Sequence, residues 1–187
     1  MIIGVINIKG GVGKTTSSLA IATAAQRSGL SVTVVDTDPQ GSATLWAQAA
    51  EDADDPLPFP VVSRNQAEIR RMRERRPDRD GELIVIDTPP NGAVVDEAIK
   101  TADFVVIPTL SSPIDLQQTM LTAAQCQDAG KDYAVLIVMA RKGTNALRAF
   151  RTAVEEYGAG IFDTEIPLRE DFKADFGHRS EERRVGK

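Results

Sequence analysis

A single cysteine, Cys126, excludes an intramolecular disulfide and any cysteine-cluster metal site built within one chain. Such usage suits a reducing cytoplasm. Aromatic residues are also scarce, at 5% of the 187 residues. The core must therefore be filled mostly by Val, Ile, Leu and Ala, which suits a parallel sheet covered by helices. No apolar run is long enough to span a bilayer, and the first residues lack a charged n-region followed by an apolar h-region. A soluble protein with no membrane partner is expected. Positive charge is not in excess: the net charge is −5, so any contact with nucleic acid must come from a local patch. The one histidine, His178, is not expected to be a ligand, and Cys126, among alanines, reads as core. The sequence holds no internal repeat and no low-complexity stretch.

What is present is organised around Lys9-Gly10-Gly11-Val12-Gly13-Lys14-Thr15-Thr16. An apolar run over residues 2–8 precedes it and reads as a buried strand. A helix is expected from about Lys14 to Ser28, stopped by Gly29. A strand, a glycine-rich turn and a helix N-terminus together form an anion site, because backbone N–H groups converge there and the helix dipole favours negative charge. The common phosphate-loop pattern asks for a glycine five positions before Gly13, where Ile8 stands. A second lysine, Lys9, is the other departure.

Beyond the loop, apolar runs alternate with helical stretches. Strands are expected at 30–36, weakly at 59–62, and at 83–87, 104–108, 133–140 and 161–166. Helices are expected at 43–50, 66–76, 94–101, 113–128 and 145–157, with Pro113 suited to a first turn. This alternation implies one α/β domain over 1–178, a doubly wound and mostly parallel sheet with helices on both faces.

Carboxylates at the C-terminal ends of parallel strands face the ligand crevice. The second strand delivers Asp36 and Asp38 there, and Leu83-Ile84-Val85-Ile86 ends in Asp87. In phosphoryl-transfer chemistry Lys14 should reach the β- and γ-phosphates of ATP. The Thr15 hydroxyl should bind Mg²⁺, with Thr16 nearer the α-phosphate and Asp87 acting on the Mg²⁺ through a water. Asp38 is the candidate to orient the attacking water, or else a switch-loop contact without catalytic weight. Asp36 is either part of that site or structural.

The stretches K-G-G-V-G-K-T-T, V-V-D-T-D-P-Q-G-S and L-I-V-I-D-T-P-P resemble the deviant Walker A ATPases of the ParA/MinD superfamily, a P-loop NTPase fold of SIMIBI type. Three further stretches, D-T-D-P-Q-G-S-A-T-L-W, V-I-P-T-L-S-S-P-I-D-L and Arg141-Lys142, resemble its small ParA members of ParF type. The resemblance implies a homodimer formed on Mg²⁺ and ATP, with slow hydrolysis stimulated by a centromere-binding partner of ParB or ParG type. It implies nonspecific DNA association at the nucleoid, and a plasmid or chromosome as cargo. Lys9 would then reach across the dimer to the partner subunit's nucleotide. Many relatives carry an adenine-contacting asparagine where Ala140-Arg141 stands, so base contacts are expected instead from the backbone of Pro167 and Leu168, or from Arg141. A MinD-type membrane ATPase would need a C-terminal amphipathic helix; the domain over 1–178 is expected to be truncated at its C-terminus, where the family continues into a final helix, so this alternative stays open. A nitrogenase-type iron protein would need cluster cysteines. A regulator that holds ATP without turnover stays open.

Residues 64–79 carry seven arginines (Arg64, Arg70, Arg71, Arg73, Arg75, Arg76 and Arg79) against Glu68, Glu74 and Asp78, a local net charge of +4. They form either a DNA-contacting helix or a solvated one, since arginines at successive positions surround a helix rather than line it. Arg148 and Arg151 are a second basic candidate. The final stretch, 179–187, resembles the translation of a short-read sequencing adapter and is expected to be foreign to the protein; without it the remainder carries −7.

Overall fold

The computed structural model describes residues 1–74 and 81–168. Six strands form one sheet in the order β3-β2-β4-β1-β5-β6, with every pairing parallel. In chain order the elements are β1 (Ile2–Val5), α1 (Lys14–Arg27), β2 (Ser31–Asp36), α2 (Ser42–Asp52), β3 (Val61–Ser63) and α3 (Gln66–Glu74). There follow β4 (Glu82–Asp87), α4 (Ala93–Thr101), β5 (Phe104–Thr109), α5 (Pro113–Asp128), β6 (Asp132–Ile137) and α6 (Asn145–Glu156). The expected α/β architecture is therefore present.

Neighbouring residues on each central strand bury on opposite faces, as the period of two requires. Val5, Val34 and Val85 pack with Leu19 and Ala22 of α1 and Ala43 of α2. Their neighbours Ile6, Val35 and Ile86 pack with Ile69 of α3, Val95 and Ile99 of α4, and Ala123 and Cys126 of α5. Ile6 and Ile86 are completely buried, and each such side chain contributes about 1.5–3 kcal/mol relative to exposure. The β6 edge has its own cluster, where Val135 and Ile137 meet Leu147, Phe150 and Val154 of α6. Gly4 shows why β1 must be narrow at its centre: a Cβ there would stand 2.9 Å from Ile6 Cδ1 and 3.3 Å from Ala102 Cβ.

The expected strand at 161–166 is the clearest difference. This segment forms no strand: an isolated bridge joins Ile161 to Val135 of β6, and another joins Pro167 to Ala140 just beyond it. Phe162 N donates to Val135 O at 3.0 Å, and Ile166 N donates to Ile137 O at 2.9 Å. Four residues of the segment thus span two of β6; Asp163 and Thr164 bulge outward, and Glu165 turns in toward Arg151. Strand β6 itself ends at Ile137, short of Ala140, because Met139 takes a left-handed backbone with φ 52°. Helix α3 is described to Glu74, so Arg75, Arg76, Asp78 and Arg79 lie outside the described residues, as do His178 and the stretch 179–187.

Candidate nucleotide site

The loop between β1 and α1 is pinned before it turns. Asn7, fully buried, donates from Nδ2 to Pro108 O at 2.9 Å, and its Oδ1 accepts from Lys9 N at 2.9 Å. Ile8 N donates to Thr122 Oγ1 of α5 at 3.2 Å. Gly11 and Gly13 then both take φ 74°, a conformation that favours glycine. Gly13 is the N-cap of α1 and no side chain caps that helix. The first N–H groups of α1 are thus open to an anion. Val12, between the two glycines, is buried and anchors the turn, while Gly10 and Gly11 are exposed.

Lys14 is buried and arches back, its Nζ donating to Lys9 O at 2.8 Å. This places one fixed positive charge over the loop. Burial pulls the Lys14 ammonium below its ordinary pKa, and the nearby carboxylates of Asp87 and Asp38 oppose that pull. Thr15 Oγ1 donates to Asp87 Oδ2 at 2.7 Å. Ser18 Oγ lies 3.0 Å from both Asp87 Oδ1 and the Lys14 carbonyl, so its one proton is shared between them. Burial raises the Asp87 pKa from 3.8 to about 6. The Thr15 and Ser18 bonds oppose the rise, Asp36 adds to it, and Lys14 opposes it.

These groups fit a hard divalent cation. The Thr15 proton points at Asp87, which leaves the hydroxyl lone pairs for a metal. Among the described residues no three His, Cys, Asp or Glu side chains gather as a metal cluster. A cation here would therefore take most of its ligands from phosphate and water, as Mg²⁺ commonly does.

The two aspartates after β2 separate in role. Asp36, fully buried, accepts from Thr44 N at 2.9 Å, Thr44 Oγ1 at 2.8 Å and Asp38 N at 3.1 Å. It ties the start of α2 to the end of β2, which is the structural reading. Asp38 is half-buried; its Oδ1 accepts from Gln40 N at 2.9 Å, and its charge reaches Lys14. Thr16 is half-buried on the first turn of α1, and no partner for its side chain decides its role.

Lys9 is held within its own chain. Its Nζ donates to Asp115 in the first turn of α5. Asp115 also accepts from Ser112 N and Ser112 Oγ, closing a capping box on α5. Burial would raise the Asp115 pKa, but the bonds from Lys9 and Ser112 and the Lys9 charge outweigh it and hold the carboxyl below its ordinary value. Asn7, Ser18, Thr44, Asp115 and Thr122 were not among the residues the sequence singled out. A polar residue inside an apolar run marks Asn7, and Ser112-Pro113-Ile114-Asp115 has capping-box spacing; the other three carry no local signal.

On the far side of the loop from the carboxylates, the walls are apolar. A Cβ on Gly13 would meet Val138 Cγ2 at 3.5 Å, so the end of β6 borders the phosphate loop. Ala140 N donates to Ile166 O at 2.9 Å and Leu168 N to Ala140 O at 3.1 Å, which sets Pro167 and Leu168 beside it. Met139 and Leu168 remain exposed there, at 43% and 37%. Arg141 and Lys142 are exposed on the adjoining loop. Among the described arginines of the basic stretch, Arg64 pairs with Glu68, Arg70 with Glu74, and Arg73 with Glu97 of α4 at 3.0 Å.

Residues 3–180 match the family described as the CobQ/CobB/MinD/ParA nucleotide binding domain. The chain is 34% identical over 170 residues to "Maintenance of carboxysome distribution protein A" of Gloeobacter kilaueensis, spanning 88% of this chain and 76% of that protein. It is 26% identical over 184 residues to "Protein ParA" of Rhizobium radiobacter, spanning 94% and 82%. A plasmid partition protein of Borrelia burgdorferi, solved bound to AMPPNP, shares the fold with a TM-score of 0.71 at 18% identity, covering 94% of this chain and 88% of that one.

Proposed function

The chain belongs to the CobQ/CobB/MinD/ParA nucleotide-binding family, and from that premise we propose that it is a partition-type ATPase. In this reading it binds ATP with Mg²⁺, dimerises on the nucleotide, associates with DNA and hydrolyses ATP slowly until a partner protein stimulates it. The observation that carries the reading is the uncapped N-terminus of α1 with Lys14 closed over its loop and Thr15 bonded to Asp87.

The residues divide the work. The N–H groups from Gly10 to Thr16 cradle the phosphates, and Lys14 neutralises the β- and γ-phosphates. Thr15 and Asp87, the latter through a water, would hold Mg²⁺, which would offset charge developing on the phosphate oxygens. Asp38 accepts a hydrogen bond from the attacking water. The water oxygen bonds to the γ-phosphorus as the bond to the ADP oxygen breaks; ADP departs with that electron pair, and the proton the water gives up ends on the released phosphate. Lys9 leaves Asp115 and crosses to the partner subunit's nucleotide, where a second positive charge stabilises the transition state. Pro167 and Leu168 stand against the base. With Arg70 and Arg73 of α3, and Arg64 just before it, each paired to a glutamate, the exposed Arg141, Lys142 and Arg148 are the better DNA surface. A centromere-binding protein of ParB or ParG type would be the stimulating partner, and the protein would reside in the cytoplasm on the nucleoid.

A second reading keeps this chemistry and changes the cargo. The higher identity to a protein named for carboxysome distribution than to one named ParA favours a protein body over a replicon. Phosphate release from ATP by the purified chain, with and without nonspecific DNA, tests the shared core. Mg²⁺-dependent turnover that rises with DNA is expected. ATP binding without any turnover would instead mean a nucleotide-holding regulator.

A further inference from the structure

Arg151 stands on α6, well away from the phosphate loop, and the sequence suggested DNA for it. Its head group is instead spent inside the molecule. Nη1 and Nη2 both donate to Phe162 O at 3.0 Å, and Nε lies 3.7 Å from Glu165 Oε1. The side chains of Arg151 and Glu165 are only 23% and 16% exposed. A three-quarters buried guanidinium held by a carbonyl and a carboxylate is a positional device, since charge-assisted bonds of this kind fix geometry.

What it fixes is the bulge at 163–165. Phe162, whose carbonyl it grips, is the last residue paired to β6 before the bulge, and Ile166 is the first one after it. The bulge sets how the next residues register against Ala140, where Ile166 O accepts from Ala140 N and Leu168 N donates to Ala140 O. Bulges beside active sites commonly re-aim the residues that follow. Here those residues are Pro167 and Leu168, on the β6 side of the phosphate loop. The carboxylates Asp36, Asp38 and Asp87 hold the other side. Among the described residues, Val138, Met139 and Leu168 offer an apolar wall to a nucleotide with its phosphates on α1. Met139 in the left-handed region is a local strain of the kind retained at binding sites.

We propose that Arg151 is a positioning residue for the nucleotide base: by clamping Phe162 and Glu165 it sets the register of Pro167–Leu168 and so the shape of the base wall. The proposal rests on the reading of this site as an ATP site. It separates base recognition, governed from α6, from phosphate recognition, governed by the loop.

The test is competition by ATP, GTP and base-free tripolyphosphate, each with Mg²⁺, against a fluorescent ATP on the full chain. The unmodified protein should prefer ATP to GTP. In Arg151→Ala, ATP affinity should fall about tenfold and the ATP-over-GTP preference should collapse, while tripolyphosphate stays within about twofold, because only the base wall has moved. Arg151→Lys keeps a cation at the bulge and should retain an intermediate preference; it also serves if the alanine variant fails to fold. Equal loss for all three ligands would reduce Arg151 to a general stabiliser and overturn the proposal, as would an unchanged preference in both variants. A failure of the unmodified chain to bind ATP would overturn the ATP reading itself, a result distinct from either.

Discussion

Replacing Asp115 with asparagine should make the nucleotide-dependent dimer tighter, although it deletes a native ion pair. Lys9 cannot serve a partner's nucleotide while its Nζ is bonded to Asp115. The pair is lopsided: the Asp115 side chain is 2% exposed and the Lys9 side chain 29%. A freed lysine at that exposure can rehydrate, so the pair is worth about 1 kcal/mol, between an exposed ion pair and a buried one. Each dimer breaks two such pairs, so about 2 kcal/mol opposes association, or roughly 30-fold in the dimer dissociation constant. Asp115→Asn removes the charge and keeps an oxygen that can accept from Ser112 N, so much of the α5 cap survives. Stability should fall by only about 1 kcal/mol. Sedimentation equilibrium with a non-hydrolysable ATP analogue and Mg²⁺ measures the effect directly. The same substitution in a Lys9→Ala background should give no gain, because there is no latch left to release. An unchanged or weaker dimer in Asp115→Asn, with the fold intact by Tm, would refute the idea that Asp115 restrains Lys9.

Two other outcomes follow from the site. Asp87 has a folded pKa of about 6 against an ordinary 3.8, so the folded state takes up its proton more readily than the unfolded one. Its destabilising effect on the nucleotide-free chain is therefore fully present above pH 6 and fades as pH falls toward about 4, a change of about 2–3 kcal/mol. Thermal melts across that window should show the slope in the unmodified chain and lose it in Asp87→Asn, whereas an identical slope in both would assign it to another group. Arg141→Ala combined with Lys142→Ala should lower ATP-dependent retention on DNA and flatten its salt dependence by about two phosphate contacts. Arg70→Ala, whose partner is Glu74 on the same helix, should change retention little; the reverse ranking would return the DNA surface to α3.

How much of this was legible in the sequence depended on whether the determinants were local. The loop, its flanking strand and helix, and the two strands that end in aspartate all announce themselves through apolar runs that stop at a charge, and the parallel sheet follows from them. Asp36 could not be assigned from its position, because its role is decided by Thr44, which folds back from the first turn of α2. Lys9 and Asp115 are 106 residues apart, and the parallel pairing of β1 with β5, which brings the start of α5 to the β1 end, joins them. The apolar Ile161, Phe162 and Ile166 suggest a strand at 161–166, but between them Asp163 and Thr164 face solvent and Glu165 turns to Arg151, which interrupts the ladder. Arg151 read as a surface cation for the same reason that Arg64, Arg70 and Arg73 did: a sequence lists charges and not their partners.

Two lysines of one loop divide the labour, so the most direct measurement is ATP binding and dimerisation of Lys9→Ala beside Lys14→Ala. Lys14 lies over the loop of its own chain, bonded to Lys9 O. Lys9 touches the loop only through its backbone and sends its charge to α5. Lys9→Ala should therefore bind ATP nearly as the unmodified protein does, yet form no ATP-dependent dimer and release no phosphate. Lys14→Ala should lose ATP binding itself. Equal loss of binding in both variants would place Lys9 in its own chain's nucleotide site and contradict the crossing to a partner.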